Sequence, residues 1–381
     1  MGQHPKQARE YSKLKIQLAV IQLILTAAFL IIMFFSGASQ LLKEFVTKYS
    51  QSFYLQLALY LAIMGSTYYL LFLGLEFYGN FLLEHKYLLS SQSVCSWLKK
   101  SLKKELLSLL LFIAAGEVIY FFLRLFPDYW WLPVTVAWVS LTIVLGKIAP
   151  ILIIPLFYKC SPLPNAELKE KLLRLSKNCG VEIKNVFEIQ LSKDTHKANA
   201  AITGLGKGQR ILLSDTLLKN YPEEEIEAIF AHELGHMCLL HTRKLFLFGA
   251  AISTAGFYLT FSFCRAGLSF FGINEIYDIA SFPLFALILM LVGLIFTPIQ
   301  NGYLRHLEKQ ADIFAIEHIE NSQSFASAMR KLAKQNLINP SPGRFAELLF
   351  HDHPPISKRL RYTGEKNERN PSHEKPAKGV D

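Results

Sequence analysis

The chain has 381 residues, 51% of them hydrophobic and only 18% charged, a balance too apolar for a soluble protein of this length. The net charge of +10 comes from basic residues that flank apolar runs instead of forming an aromatic-interleaved patch, which excludes a nucleic-acid-binding class. Its cysteines, Cys95, Cys160, Cys179, Cys238 and Cys264, are scattered with no CxxC pair, which excludes a disulfide framework and a thiolate metal site and suits a reducing compartment.

Six apolar stretches, near 16–35, 53–75, 106–123, 131–157, 245–264 and 282–299, are long enough for helices that cross about 30 Å of hydrocarbon. The first exceeds the apolar core of a cleaved signal. Positive residues stay on the cytoplasmic side of short loops. Lys6, Arg9, Lys13 and Lys15 precede the first stretch, and Lys86, Lys99, Lys100, Lys103 and Lys104 follow the second, whereas Lys43 and Lys48 alone lie between them. This predicts a multi-pass integral membrane protein, of the plasma or inner membrane if prokaryotic, with residues 159–243 and everything beyond the sixth stretch in the cytoplasm.

Residues 166–179 carry helical leucine spacing closed by Gly180, and strands are expected at 185–190, 198–203 and 210–213, the last two joined by a turn through Gly204 and its neighbours. Pro222 and the acidic run Glu223, Glu224 and Glu225 open a helix that is expected to run on into the fifth stretch. The tail from Gly364, rich in Pro, Glu, Lys and Asn, reads as disordered. The predicted organisation is a membrane region with four spans at 1–158, a soluble segment at 159–243, spans five and six at 244–300, a second soluble segment at 301–363 and a tail at 364–381.

The soluble segments carry the chemistry. His232-Glu233-Leu234-Gly235-His236 is an HExxH sequence, and on a helix its histidines project from one face and can share one zinc ion. Glu233 beside them can take a proton from a zinc-activated water that attacks a peptide carbonyl. A catalytic zinc needs a third protein ligand. Glu308 is the candidate, with Asp312 one turn further on to orient an imidazole, although Arg305, Glu308 and Asp312 read equally well as an exposed charged ladder. His241 and His306 are rivals with poorer spacing; His241 is expected to point away from the motif face. Asn199-Ala200 on an edge strand could pair with a substrate backbone, or simply form a bulge. His353-Pro354-Pro355 with Arg359 could supply oxyanion donors, or be a turn before a helix.

Taken together, these pieces resemble the type I CAAX prenyl proteases, integral-membrane zinc peptidases of the gluzincin type. The resemblance rests on Glu84-His85-Lys86, Pro162-Leu163-Pro164, Asn199-Ala200 with Gly204, the run from Arg210 to Leu218, HELGH with His241, Arg305-x-x-Glu308-x-x-x-Asp312, and His353-Pro354-Pro355 with Arg359 and Leu360. It implies a mainly α fold, a transmembrane helical bundle around an internal chamber, with a cytoplasmic zinc peptidase domain containing a small β-sheet. Glu117 and Lys147 would suit a watered chamber wall. It further implies one zinc held by His232, His236 and Glu308, Glu233 as base, Asp312 behind the ligands, Asn199 and Ala200 on the substrate, and His353 and Arg359 near its carbonyl or oxyanion. Two positions depart from the family pattern: Ala201 stands where Tyr is frequent, and Leu304 where Ser is usual. The chain also lacks one of the seven spans of eukaryotic members and their acidic insertion before the catalytic helix, so it is similar to a compact prokaryotic member.

The function expected is that of a zinc metalloendopeptidase acting on membrane-associated or prenylated CAAX-type peptides, with membrane lipid as its surroundings and no nucleic-acid partner. A membrane quality-control endopeptidase would use the same site. A binding scaffold without chemistry is the third reading, and an intact Glu233 speaks against it.

Overall fold

The protein is described here as a computed structural model covering residues 4–181, 183, 185–204, 210–270 and 275–369. In chain order, α1 (His4–Phe35), α2 (Ala38–Thr47) and α3 (Phe53–Phe77) lead through a π-helical turn at Tyr78–Leu82 to α4 (Leu83–Lys86), α5 (Val94–Leu125) and α6 (Trp131–Ile148). After a second π turn at Ala149–Ile153 come α7 (Ile154–Phe157), β1 (Cys160–Pro162), α8 (Ala166–Asn178), β2 (Val186–Ile189), β3 (Ala200–Thr203) and β4 (Arg210–Ser214). The remainder is helical: α9 (Asp215–Asn220), α10 (Glu223–Cys238), α11 (His241–Phe270), α12 (Phe282–His318), α13 (Ser322–Gln335), α14 (Arg344–Phe350) and α15 (Ile356–Arg369). The chain divides into two compact units, one of residues Met1–Lys13, Ala149–Arg243 and Gln300–Asp381, the other of Leu14–Ile148 and Lys244–Ile299.

The second unit is the membrane region. Among the described residues six helices are long and apolar enough to cross a bilayer, matching the number of apolar stretches. Its core is aromatic, with Tyr60 and Trp130 fully buried beside Leu57, Leu61 and Leu123. Small residues let α3 and α5 meet closely: a Cβ at Gly116 would stand 2.4 Å from Leu61 Cδ1, and one at Gly65 2.8 Å from Leu109 Cδ1. Ser39 and Tyr60 pair in this core, their hydroxyls 2.6 Å apart, whereas Trp130 Nε1 is buried with no hydrogen-bond partner among the described residues.

The first unit is built on a four-stranded sheet of order β1-β2-β4-β3, in which β4 pairs parallel with β2 and antiparallel with β3. β4 is flanked on both edges, so Ile211, Leu212, Leu213 and Ser214 are all buried. A core of Leu172, Ile211, Leu213, Phe230, Ala231 and Phe325 joins the sheet to α8, α10 and α13. α10 is buried on most sides, and it lies against α12 at Gly235, where a Cβ would stand 3.1 Å from Ala311 Cα and 3.2 Å from Phe314 Cβ.

Three expectations are corrected, and one strand is added. The predicted HExxH helix does not run on into the fifth span: α10 stops at Cys238, Leu240 takes a positive φ of 56°, and α11 starts afresh at His241. β1 escaped the sequence reading because its three residues include a proline and sit at the sheet edge, where no ladder bond is needed from it. The strand expected from 198 begins at Ala200, because Ala198 is held instead by the side chain of Asn336. The expected tail starts later than Gly364, since α15 continues through it to Arg369. The centre of the predicted 204–208 turn and the rest of the tail lie outside the described residues.

Candidate active site

α10 places His232 and His236 one turn apart, and close packing at Gly235 brings α12 near enough for Glu308 to reach both. His232 Nε2 and His236 Nε2 are 3.2 Å apart. Glu308 Oε2 lies 3.3 Å from His232 Nε2, and Glu308 Oε1 3.3 Å from His236 Nε2. With Glu308 only 9% exposed and Asp312 fully buried, this stretch of α12 is not an exposed charged ladder.

Behind these atoms each imidazole has a second partner. His232 Nδ1 is 2.9 Å from Asp312 Oδ1, and Asp312 accepts from Arg359 Nε at 2.8 Å and from its second guanidinium nitrogen at 2.5 Å. His236 Nδ1 meets His241 Nδ1 at 2.9 Å, His241 Nε2 lies 3.1 Å from Gln310 Oε1, and Gln310 Nε2 lies 3.1 Å from His306 Nε2. His241 therefore faces the motif, contrary to its helical spacing, because the positive φ at Leu240 turns the chain back. Arg359, expected near the oxyanion, has its guanidinium on Asp312 and also lines the cavity beside the site.

The donor set fits a zinc ion. If each Nδ1 carries the proton shared with the group behind it, both Nε2 lone pairs and the Glu308 carboxylate converge, an arrangement that a bound cation would relieve. Their 3.2 to 3.3 Å separations match the about 3.3 Å expected between ligands on a tetrahedral zinc. Glu308 Oε2 is buried and has no hydrogen-bond partner among the described residues. Without a metal the site draws protons. Burial opposes a charge on His232, but hydrogen bonds and charge from Asp312 and Glu308 prevail and push its pKa up to about 10. Burial also raises the Glu233 carboxyl, a shift that the two histidines only partly offset, which moves it toward the range of a general base.

A cavity of about 320 Å³ opens beside these groups, lined by Asn199, His232, Glu233, Asn336, His353 and Arg359 among others. Asn199 is exposed at the start of the edge strand β3, with its backbone NH donating to Ser214 Oγ at 2.9 Å. Two features place the residues opposite. Arg305 donates to the carbonyls of Glu347 at 2.7 Å and His351 at 2.6 Å, fixing the end of α14. From there His353 reaches back, its Nε2 3.4 Å from Glu308 Oε2 and its Nδ1 2.8 Å from Asp352 Oδ1. Burial lowers the His353 pKa, but Asp352 and Glu308 outweigh it and the net shift is upward.

Asn336 and Asp352 were missed from the sequence. Asn336 mimics a neighbouring strand, accepting from Ala198 NH and donating to Ala198 carbonyl, both at 2.9 Å, and so holds the segment that carries Asn199. No local signal announces a pairing between residues 138 positions apart. Asp352 had one, since an acidic residue directly before a histidine can bond its ring.

The described geometry has counterparts. Residues 162–365 match the family described as Peptidase family M48, and residues 3–159 match one described as the CAAX prenyl protease N-terminal region with five membrane helices. The metalloprotease YhfN of Bacillus subtilis is 28% identical over 371 residues, covering 96% of this chain and 87% of its own. CAAX prenyl protease 1 of Saccharomyces cerevisiae is 29% identical over 323 residues, covering 79% of this chain and 70% of its own. The crystal structure of Ste24p from S. mikatae superposes with a TM-score of 0.82 at 25% identity, over 95% of this chain and 88% of that one.

Proposed function

Because the chain belongs to peptidase family M48, with the N-terminal membrane region of the CAAX prenyl proteases, we propose that it cleaves prenylated CAAX-type peptides at a cytoplasmic site built from α10, α12 and the His353 loop. It is a membrane-embedded zinc metalloprotease. The observation that carries it is the convergence of His232, His236 and Glu308 beside Glu233 on a cavity with an edge strand along its wall.

His232, His236 and Glu308 would hold the zinc, which when bound polarises a peptide carbonyl and acidifies water. The substrate backbone adds to β3, which is paired on one side only, and Asn199 orients the scissile segment. Glu233 receives the proton of the attacking water and passes it to the leaving amine; its raised pKa suits both transfers. His353, whose pKa Asp352 raises, donates to the developing oxyanion when protonated. Asp312 fixes the tautomer of His232 and is itself fixed by Arg359.

The test uses purified full-length protein. It is expected to contain one zinc per chain and to hydrolyse a farnesylated CAAX peptide, while Glu233→Gln keeps its zinc and loses activity by about three orders of magnitude. Equal cleavage by the mutant overturns the mechanism. Equal cleavage of the same peptide without its prenyl group overturns the substrate class alone.

A further inference from the structure

In the membrane unit a cavity of about 460 Å³ lies among α1, α3 and α5, far in sequence from the residues of the candidate active site. It sits where all three helices leave their apolar stretches at one membrane face: Lys15 precedes the first stretch, Glu76 and Asn80 follow the second, and Lys104 and Glu105 precede the third. Its deeper part is polar as well. Gln22 Nε2 donates to Tyr68 Oη at 2.6 Å, and the same hydroxyl lies 2.9 Å from Thr26 Oγ1. Between rim and floor the wall is apolar, formed by Leu18, Phe72 and Leu75.

The charged groups at the rim are unequally paired. Lys15 Nζ is 3.1 Å from Glu84 Oε1 and donates to Gly79 carbonyl at 3.1 Å, a carbonyl that belongs to the π-helical turn at Tyr78–Leu82. π turns free backbone acceptors from the helical ladder and recur at functional sites. Lys104 is paired with Glu76. Glu105 has no hydrogen-bond partner among the described residues; Glu76 adds a like charge to its surroundings and Lys104 an opposite one. Lys15 and Lys104 are thus each engaged by another carboxylate, and Glu105 is left on the cavity wall without a hydrogen bond among the described residues.

We infer that this cavity binds the head group of an aminophospholipid, with its primary ammonium on Glu105 and its phosphate toward Lys104, whose side chain is 55% exposed at the rim. The combination follows from chemistry. A carboxylate without a hydrogen bond takes an N–H donor, a quaternary amine has no proton to donate, a glycerol head group has no cation to offer it, and the adjoining lysine answers a phosphate two carbons from the amine. The acyl chains have a surface to lie on, since Leu70 and Leu71 on α3 and Leu110 on α5 are 67%, 64% and 66% exposed.

The experiment is lipid retention by the full-length protein, equilibrated in mixed micelles with equal phosphatidylethanolamine, phosphatidylcholine and phosphatidylglycerol and analysed by mass spectrometry of the bound lipid. Wild type is expected to enrich phosphatidylethanolamine about tenfold over either rival, the factor that a charge-assisted hydrogen bond confers. Glu105→Gln, which keeps size and removes the charge, is expected to abolish the enrichment while peptide hydrolysis in detergent is unchanged, which shows that the protein is folded. Equal retention of phosphatidylcholine, or enrichment that survives Glu105→Gln, overturns the inference. Displacement of the lipid by millimolar glycerophosphoethanolamine would overturn the lipid as occupant and leave a site for the soluble head group.

Discussion

His241 shows how one backbone angle can redirect a side chain's role. Counted along a continuous helix it faces away from His236, yet the break at Leu240 puts its Nδ1 2.9 Å from His236 Nδ1. It orients a proposed ligand, so His241→Ala should weaken zinc binding by about 10- to 100-fold in a chelator competition, the range for partners behind a metal ligand, with the fold unchanged by circular dichroism. A mutant of unaltered affinity would make His241 merely structural. Asp352 acts one step further from the reaction. Its carboxylate is the main force raising the His353 pKa against burial, so removing it lowers that pKa. His353 donates only while protonated, and its donor fraction then falls away from a lower pH. Asp352→Asn is expected to shift the alkaline limb of the pH profile of kcat/KM to lower pH and leave the acid limb, governed by Glu233, in place; an unmoved alkaline limb would remove His353 from the oxyanion. At this scale the sequence was legible where chemistry is local. HExxH states two positions and a base in five residues, whereas Glu308 stood level with a charged ladder until burial separated them, and Asn336 had no local sign at all.

Elements meet at the site because small and capping residues let them. A methyl at Gly235 would stand 3.1 Å from the Ala311 backbone, tighter than a packed contact tolerates, so Gly235→Ala should push α12 from α10. The expected cost is about 1–3 kcal/mol of stability by chemical unfolding, with a fall in zinc affinity as Glu308 withdraws. Stability lost without any change in zinc affinity would show that the approach is not what places the carboxylate. Asp215 ties the chain between β2 and β3 to the start of α9, accepting from Leu191 NH at 2.8 Å, Ser192 NH at 3.0 Å, Ser192 Oγ at 2.5 Å and Thr216 NH at 2.9 Å. Burial works against its charge, but these donors win and hold its pKa below the usual carboxylate value. A depressed folded pKa contributes stability that is fully present above the unfolded value, near 3.9, and is lost as pH falls through the folded one. Asp215→Asn should therefore lose about 1–3 kcal/mol at neutral pH and show a flatter loss of stability below pH 4. Helices and central strands were readable because their periods repeat over many residues. β1 and the break at Leu240 were not, since the first is three residues at an edge and the second is a single non-glycine residue at positive φ.

Across the whole molecule, the apolar stretches set out the membrane helices before any coordinate, because a bilayer demands long uninterrupted apolar runs. What they could not state is which distant segments share a metal. His236 and Glu308 are 72 positions apart, with α11 and most of α12 between them, and in the sequence the pairing is one candidate beside a charged ladder until the resemblance favours it. A zinc held by both would be a cross-link between α10 and α12 that contributes about 4 kcal/mol when its free concentration is a thousandfold above the dissociation constant. Because zinc must displace the proton that His232 otherwise keeps up to about pH 10, that contribution should shrink as the medium is acidified. Hydrogen exchange of the full-length protein, zinc-saturated against chelated, is expected to show protection lost together on residues 223–238 and 300–318, while the buried parts of α3 and α5 do not change. Glu308→Ala should abolish the difference between the two states. Deprotection confined to α10 would mean that the metal rests on the histidines alone, and Glu308 would lose its place as the third ligand.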